Sequence, residues 1–569
     1  METAAGCMDV LTDIDVDVPM RDGVRLRANV WRPRSGGRFP GILLRTPYGK
    51  SASGFERFVR AGYAVVCQDV RGRYASEGEF RSFHAPEDAE AQDGYDSVEW
   101  LAGQPWCDGN VGTMGTSYVG YTQWALATLR PPHLRCICAA SIPPDIRDID
   151  WSGSFHPARR LHWWFVTMAP DLRRRAGWPL PHTPAQAREI WDQLEQGRRL
   201  NALPLMSVAD QLPPPLDAEA REWMRNPSRA VWRFGERHRE ITVPNLDVTG
   251  WFDHCQSMGH FTGMQRNGGS EAARTQSRMI CGPWSHVTHG LRMCHGMDMG
   301  AEAQVELTDL RIRWFDCWLK GIENGVRVEP AVRYFVIGSH RWKSATAWPP
   351  PGGAEQVWRL GAVKDARGIG GDGTLALNAA GGSECDHYRY DPADPAPTLW
   401  DKDYFRCPSD RRRTEQRQDI LVYRSAALER DVEIAGVAEV VLFAATSAPD
   451  TDWFAHLADE TPGGPAVEVA SGMVRARHRN SIEREEFVTP GAVVEYRIRL
   501  TDTACRFAAG HRIRLEITSS NFPQFDRNHN TGRNDLADAE LRAAEQSVHH
   551  SEHFPSRLIL PLAPVTEED

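Results

Sequence analysis

The sequence has no apolar run long enough to cross a membrane and no excess of basic residues. The longest apolar stretches, such as Val437 to Ala445, fall far short of the roughly 20 residues that a membrane-spanning helix needs. Lys and Arg number 66 against 76 Asp and Glu, a formal net charge of −10, so the chain lacks the positive field that attracts a phosphate backbone. The sequence predicts neither a membrane nor a nucleic acid as partner.

Closely spaced cysteines and an export signal are also missing. The twelve cysteines are scattered, and the one close pair, Cys136 and Cys138, fits neither a zinc knuckle nor a redox Cys-x-x-Cys motif. Residues 1–17 are acidic and lack a basic segment that leads into an apolar run. These features favour reduced, mostly buried thiols and a cytoplasmic protein.

Metal and cofactor motifs are not found either. His549 and His550, and the histidine within 528–530, lack Cys or carboxylate partners at the usual ligand spacing. No glycine-rich loop of the phosphate-binding kind follows a strand. We therefore predict an enzyme without metal or cofactor, which keeps full activity after exhaustive chelation.

What remains is an ordinary globular composition spread over several domains. The chain has 569 residues, of which 41% are hydrophobic and 25% charged, and at roughly 150 residues per domain this suggests three or four folding units. Buried strands alternate with helices in residues 1–143, helical and Trp-rich segments fill 144–242, and the α/β pattern resumes over 243–326. Alternating polar and apolar residues between turns predict a β-sandwich or jelly roll over 327–569.

Ser117 stands where a short strand runs directly into a helix-like segment, with Gly115 two residues before it. This context fits a nucleophile elbow, a tight turn that lifts the serine hydroxyl out of the sheet at a helix N-terminus. The usual pattern has its second glycine two residues after the serine, whereas here that position is Val119 and Gly120 follows. An ordinary Gly-Ser turn is the alternative.

A catalytic serine needs a histidine base and an acid that orients the base, and in hydrolases of this sheet the acid comes first along the chain. Asp253 follows an apolar strand that ends in Gly250-Trp251, and His286 follows another that ends in Gly282-Pro283. Alternatives remain: Asp253 as a helix N-cap, Asp247 as the acid, and His289 or His295 as the base. Asp247 lies inside its strand, which favours Asp253.

Six ordered motifs resemble one family of serine hydrolases. They are Arg45-Thr46-Pro47-Tyr48-Gly49-Lys50, Gln68-Asp69-Val70-Arg71-Gly72 with Ala75 to Phe80, Trp106-Cys107-Asp108-Gly109-Asn110-Val111-Gly112, the Ser117 elbow, Gly250-Trp251-Phe252-Asp253, and Gly282-Pro283-Trp284-Ser285-His286. Together they resemble the cocaine-esterase (CocE/NonD) branch of the X-prolyl dipeptidyl aminopeptidase family, which also includes α-amino acid ester hydrolases and glutaryl acylases. In that family the second glycine of the elbow stands at the Gly120 position.

The resemblance implies an α/β-hydrolase core with an inserted helical cap and a C-terminal jelly-roll β-sandwich. It implies Ser117 as nucleophile, His286 as base and Asp253 as acid, with the Tyr48 hydroxyl and the Tyr118 N–H as oxyanion donors. A homodimer formed through the jelly roll is compatible with it.

The cap is expected to set specificity. Trp151, Phe155, Trp163, Trp164 and Phe165 would line a pocket above Ser117 that suits a bulky or aromatic acyl group, or they would simply pack the cap on the sheet. The predicted activity is hydrolysis of a small-molecule ester. An amide-cleaving acylase or X-prolyl dipeptidyl peptidase, an acyltransferase, and an inactive scaffold with a carbohydrate-binding jelly roll are the alternatives.

Overall fold

The computed structural model describes residues 9–83, 89–145, 147–225, 233–378 and 383–565. Within these residues, no helix is both long and apolar enough to cross a membrane.

A twisted, mostly parallel sheet forms the core. Its strands are β1 (Val10–Pro19), β2 (Arg25–Pro33), β3 (Phe39–Thr46), β4 (Ala64–Asp69), β5 (Cys107–Thr116), β6 (Leu134–Ala140), β7 (Leu246–Phe252) and β8 (Arg278–Ser285). β1 and β2 form an antiparallel hairpin, which adds to the edge of β4. β3 to β6 pair in parallel in the order β4-β3-β5-β6. A parallel bridge between Ile137 and Asn245 joins β6 to the parallel pair β7–β8.

Helices cover both faces of this sheet, which explains the continuous apolar runs of its strands. Ile42 of β3 packs with Phe315 on one face, while its neighbour Leu43 packs with Leu126 on the other, because successive side chains of a strand point to opposite sides. The helices of the core are α1 (Glu56–Arg60), α2 (Ala89–Ala102), α3 (Tyr118–Thr128), α10 (Met258–Asn267), α11 (Glu271–Gln276) and α12 (Leu307–Leu319).

The predicted cap is the segment between β6 and β7. Its helices are α4 (Arg147–Asp150), α5 (Pro157–His162), α6 (Ala169–Arg175), α7 (Pro184–Ile190), α8 (Gln196–Leu200) and α9 (Leu216–Arg225), with π-helical turns over Trp163–Met168 and Trp191–Glu195 and a 3₁₀ helix over Leu205–Gln211. Buried cap residues such as Leu161 share one apolar cluster with Tyr118 and Tyr121 of the core. The cap is therefore packed onto the sheet beside the Ser117 turn.

The C-terminal unit is all β, as predicted. Its strands are β13 (Ala354–Ala362), β14 (Gly373–Ala376), β15 (Cys385–Tyr390), β16 (Ile420–Ser425), β17 (Val432–Thr446), β18 (Asp452–Glu460), β19 (Ala466–Arg475), β20 (Val494–Phe507), β21 (Arg512–Thr518), β22 (Ala544–His549) and β23 (Arg557–Leu562). They follow the order β15-β22-β17-β23-β13-β14-β16-β21-β18-β19, and β20 pairs with β17. The Ser471 amide of β19 donates to the Thr501 hydroxyl of β20, so the sheet returns on itself around its own apolar core.

One hairpin that follows the predicted domain boundary in the sequence belongs to the core sheet and not to the C-terminal unit. β11 (Val332–Val336) pairs in parallel with β8, and β12 (Arg341–Ala345) extends the core sheet beyond it, while β9 (Met293–Cys294) and β10 (Met297–Asp298) form a short separate ribbon. The boundary at 326/327 therefore falls before two strands that are hydrogen-bonded to the α/β core.

Candidate active site

Ser117 occupies a strained turn between β5 and α3. Its φ of 63° and ψ of −126° lie in a region that side chains rarely adopt. A Cβ on Gly115 would come within 2.1 Å of the Val119 side chain, and one on Gly120 within 2.9 Å of the Ala140 carbonyl oxygen. The two glycines thus let the chain turn sharply and let α3 approach β6, and this explains the place of the second glycine.

Asp253 and His286 follow the adjacent parallel strands β7 and β8, so they leave the sheet at the same edge. His286 Nδ1 lies 2.9 Å from Asp253 Oδ1, and His289 Nε2 lies 3.1 Å from Asp253 Oδ2. The Cys255 amide also donates to Asp253 Oδ1 at 2.8 Å. Burial alone would raise the pKa of Asp253, but the histidines and their hydrogen bonds outweigh it and hold the pKa well below its ordinary value.

The alternatives weighed from the sequence have other partners. Asp247 is buried within β7, accepts a hydrogen bond from the Ser257 hydroxyl at 2.8 Å, and burial raises its pKa well above the ordinary value. His295 lies 2.7 Å from the Ser285 hydroxyl, outside the catalytic cavity described below. His289 lies on the second oxygen of Asp253, a contact that the sequence did not indicate.

Tyr48 and Tyr118 both lie near Ser117. Tyr48 lines the same cavity as Ser117, and Trp163 Nε1 donates to the phenol oxygen of Tyr48 at 3.4 Å. Desolvation by the surrounding protein raises the pKa of the Tyr48 phenol, so the phenol keeps a proton that it can donate. Tyr118 is the first residue of α3, so no preceding turn of the helix supplies an acceptor for its N–H.

A cavity of about 300 Å³ brings these groups together under the cap. Its walls include Ser117, His286, Tyr48 and Trp163, and Asp253 lies behind His286. The other lining residues are Phe83, Thr116, Ile142, Ile149, Arg159, Arg160, Thr167, His254 and Cys255. A second cavity of about 410 Å³ lies next to it, between the cap and the C-terminal β unit, and shares Ile149 and His254 with it.

The predicted aromatic pocket needs correction. Among the described residues that line the catalytic cavity, Trp163 is the one member of the five predicted aromatics. Phe155 stacks on Trp164, and Phe165 stacks on Trp191. Trp151 packs edge-on against His478 of the C-terminal β unit. Successive residues of a helical turn point in different directions, so most of these rings hold the cap together.

Several residues of the site come from places that the sequence did not single out. Phe405, from the loop after β15, stacks on His286 with ring centroids 5.6 Å apart and an interplanar angle of 15°. Arg159 places its guanidinium carbon 4.1 Å from the centroid of the same Phe405 ring. His254, directly after Asp253, is half-buried, and desolvation holds its pKa well below the ordinary value.

One group in the described chain offers enough ligand atoms to hold a metal ion. Atoms of Asp253, His254, Cys255 and His286 lie within 4.8 Å of one another. However, Asp253 Oδ1 and His286 Nδ1 are already bonded to each other, and an ion bound through these atoms would have to displace that bond. The arrangement fits an acid–histidine pair better than a metal centre.

Comparison with known proteins agrees with this geometry. A family model described as X-Pro dipeptidyl-peptidase (S15 family) matches residues 22–288, and one described as the X-Pro dipeptidyl-peptidase C-terminal non-catalytic domain matches residues 324–559. The chain is 33% identical to the cocaine esterase of Rhodococcus sp. (strain MB1 Bresler), over 96% of this chain and 98% of that protein. It is 27% identical to a putative serine esterase of Mycobacterium bovis, over 89% and 90% of the two chains.

A solved structure of an α-amino acid ester hydrolase has the same fold over the whole length. The TM-score is 0.78 at 23% identity, covering 99% of this chain and 98% of the other.

Proposed function

This chain belongs to the X-Pro dipeptidyl-peptidase (S15) family of serine hydrolases, and from that premise we propose that it hydrolyses carboxylic esters through an acyl-enzyme formed on Ser117. The observation that carries the proposal is the pairing of His286 with Asp253 at 2.9 Å, at the wall of the cavity that also contains the Ser117 hydroxyl. A serine alcohol becomes an effective nucleophile only when such an oriented base takes its proton.

In the first half-reaction, the Ser117 oxygen attacks the ester carbonyl carbon and His286 Nε2 takes the hydroxyl proton. Asp253 holds His286 through Nδ1 and stabilises the imidazolium that forms. The carbonyl oxygen becomes an oxyanion, which the Tyr48 hydroxyl and the Tyr118 N–H stabilise. The intermediate then collapses, the alcohol departs with the proton from His286, and the acyl group remains on Ser117.

The second half-reaction repeats these steps with water. His286 takes a proton from the water as its oxygen attacks the acyl carbon, and the same two donors stabilise the new oxyanion. Collapse returns the proton to the Ser117 oxygen and releases the carboxylic acid.

The walls of the cavity favour esters over peptides with a free amino terminus. A dipeptidyl peptidase needs carboxylates to bind that positive amino group, whereas among the described lining residues the charged side chains are Arg159 and Arg160. The apolar part of the wall, which includes Ile142, Ile149 and Trp163, suits the hydrocarbon part of an acyl group.

The experiment is hydrolysis of 4-nitrophenyl esters from acetate to benzoate beside 4-nitroanilides, including an Xaa-Pro anilide. We expect ester turnover that Ser117→Ala abolishes, whereas Ser270→Ala, which removes a serine hydroxyl from the N-cap of α11, leaves it unchanged. Turnover of the anilides alone would replace the proposal with an amidase, and ester turnover that survives Ser117→Ala would exclude Ser117 as nucleophile.

A further inference from the structure

The catalytic cavity has an unusual balance of charge. Its described lining residues include two arginines, Arg159 and Arg160, and no aspartate or glutamate. Arg160 is buried, with its guanidinium packed against the rings of Trp163 and Trp223. Arg159 differs from it, because part of its guanidinium is left without a protein partner.

The hydrogen bonds of Arg159 all use one nitrogen. Its Nη1 lies 2.9 Å from His162 Nδ1 and donates to the Asp403 main-chain carbonyl at 3.2 Å. Across the described part of the chain, no hydrogen bond of Arg159 uses its Nε or Nη2. These two nitrogens form the edge of the guanidinium that binds a carboxylate through two parallel hydrogen bonds.

The nearest carboxylates are committed to other groups. The Asp403 side chain pairs with Arg188 and lies 3.6 Å from Lys402. Asp401 lies 3.3 Å from His295 and accepts the amide of Phe405. Among the described residues, no carboxylate lies within 4 Å of the Arg159 nitrogens, so its charge is available to a ligand.

The Arg159 guanidinium stays positively charged at neutral pH, although desolvation lowers its pKa. Burial lowers the pKa of Arg159 to about 10, which still leaves the guanidinium protonated. Arg159 is half-buried, and a partly desolvated cation without a counter-ion is stabilised when an anionic ligand binds beside it. An Arg–carboxylate pair of this kind is also stronger in a cavity than in bulk water.

We propose that Arg159 is a specificity-determining residue that binds a carboxylate of the substrate, so that the preferred esters carry an anionic group. This inference rests on the proposed ester hydrolase function. The position fits, because Arg159 and His286 lie against the same Phe405 ring, at 4.1 Å and 5.6 Å from its centroid. Arg159, His286 and Ser117 also line one cavity, so the substrate carboxylate and the reacting carbonyl would occupy that cavity together, joined by a short chain or a single ring.

Two matched pairs of esters test this inference and identify the side of the ester that carries the charge. For the acyl side, the mono-4-nitrophenyl ester of adipic acid is compared with the ester whose far end is a carboxamide. For the alcohol side, 4-acetoxybenzoate is compared with 4-acetoxybenzamide, each normalised to its rate with hydroxide. We expect kcat/KM to favour the carboxylate by about tenfold or more in one pair.

Substitutions of Arg159 test whether this residue causes the preference for the carboxylate ester. Arg159→Met should reduce the carboxylate-to-carboxamide ratio of kcat/KM in the preferred pair to about one. Arg159→Lys keeps the positive charge but loses the two parallel N–H donors, so it should leave an intermediate ratio. Arg188→Met is the matched control, since it removes another cap arginine that contacts Asp403 but does not line the cavity. It should leave the ratio unchanged.

The failures of the two proposals can be told apart. If neither neutral nor anionic esters are turned over in a Ser117-dependent way, the proposed function itself is wrong. If neutral esters are turned over and the carboxylate ratio of the wild type is one or less in both pairs, only the Arg159 inference is wrong. A ratio that survives Arg159→Met, or one that Arg188→Met abolishes equally, would also overturn it.

Discussion

Replacing Tyr48 by Phe removes the hydroxyl that the proposed mechanism uses as one of two oxyanion donors. The phenol oxygen accepts a hydrogen bond from Trp163 Nε1 at 3.4 Å, and Tyr48 lines the same cavity as Ser117, so the phenol proton can point toward the reacting carbonyl. Loss of one preorganised oxyanion donor costs about 10²–10³-fold in kcat, or about 2.7–4 kcal/mol. We expect a loss in this range, with the Tyr118 N–H left as the second donor.

The loss should fall on kcat rather than on KM, because the donor interacts most strongly with the charge that develops in the transition state. The assay is a saturation curve with the best 4-nitrophenyl ester of the panel. Tyr404→Phe is the matched control, since the Tyr404 hydroxyl bonds to Gln196 of the cap and does not line the cavity. A kcat loss below about threefold, or a change confined to KM, would refute the role of Tyr48.

Three further predictions concern the acid, the cap and a buried carboxylate. Asp253→Asn should lower kcat/KM by about 10⁴-fold, since His286 loses the carboxylate that orients it; a loss below tenfold would contradict this. Trp163→Ala should change the ranking of acyl groups in the ester panel, and an unchanged ranking would contradict the assignment of Trp163 to the cavity wall. Phe155 lies away from the cavity, so Phe155→Ala should mainly lower the unfolding free energy, by about 3–5 kcal/mol in denaturant titrations. Burial raises the pKa of Asp450 to about 7, so the folded state holds a proton that the unfolded chain releases near pH 4, and unfolding free energy falls as pH rises between these values. The Tm of Asp450→Asn minus the Tm of wild type should therefore be more positive at pH 8 than at pH 5; a less positive difference at pH 8 would contradict this.

The local features of the site were accessible from the sequence because they depend on neighbours in the chain. The Ser117 turn is marked by Gly115 before it and by a strand and a helix on either side. Asp253 and His286 are 33 residues apart (286 − 253), but each follows a buried strand, and the carboxyl ends of adjacent parallel strands meet at one edge of a sheet. Their catalytic roles stay predictions until the variants are measured.

The cap side of the site could not be predicted in the same way. The sequence has five aromatic residues between 151 and 165, but which of them faces the cavity depends on the direction of each side chain around a helix. The π-helical turn over Trp163–Met168 further changes that direction from the ordinary helical phase. The packed structure is needed to show that Trp163 lines the cavity and that Trp164 and Phe165 do not.

Contacts between distant segments are the other part that the sequence did not reveal. Arg159 and Phe405 lie more than two hundred residues apart and meet only because the loop after β15 packs against the cap. The β11–β12 hairpin directly precedes the strands of the C-terminal β unit in the sequence, yet it pairs with β8 of the core. An alternating pattern identifies a strand but does not select its partner.

Covalent labelling of the nucleophile tests the central claim most directly. Protein treated with an alkyl fluorophosphonate, which reacts with activated serines, is digested and the modified peptide is located by mass spectrometry. We expect one adduct per chain on Ser117, none in Ser117→Ala, and labelling slowed by orders of magnitude in His286→Ala. An adduct on another residue, or equal labelling of Ser117→Ala, would contradict the assignment of Ser117 as the nucleophile.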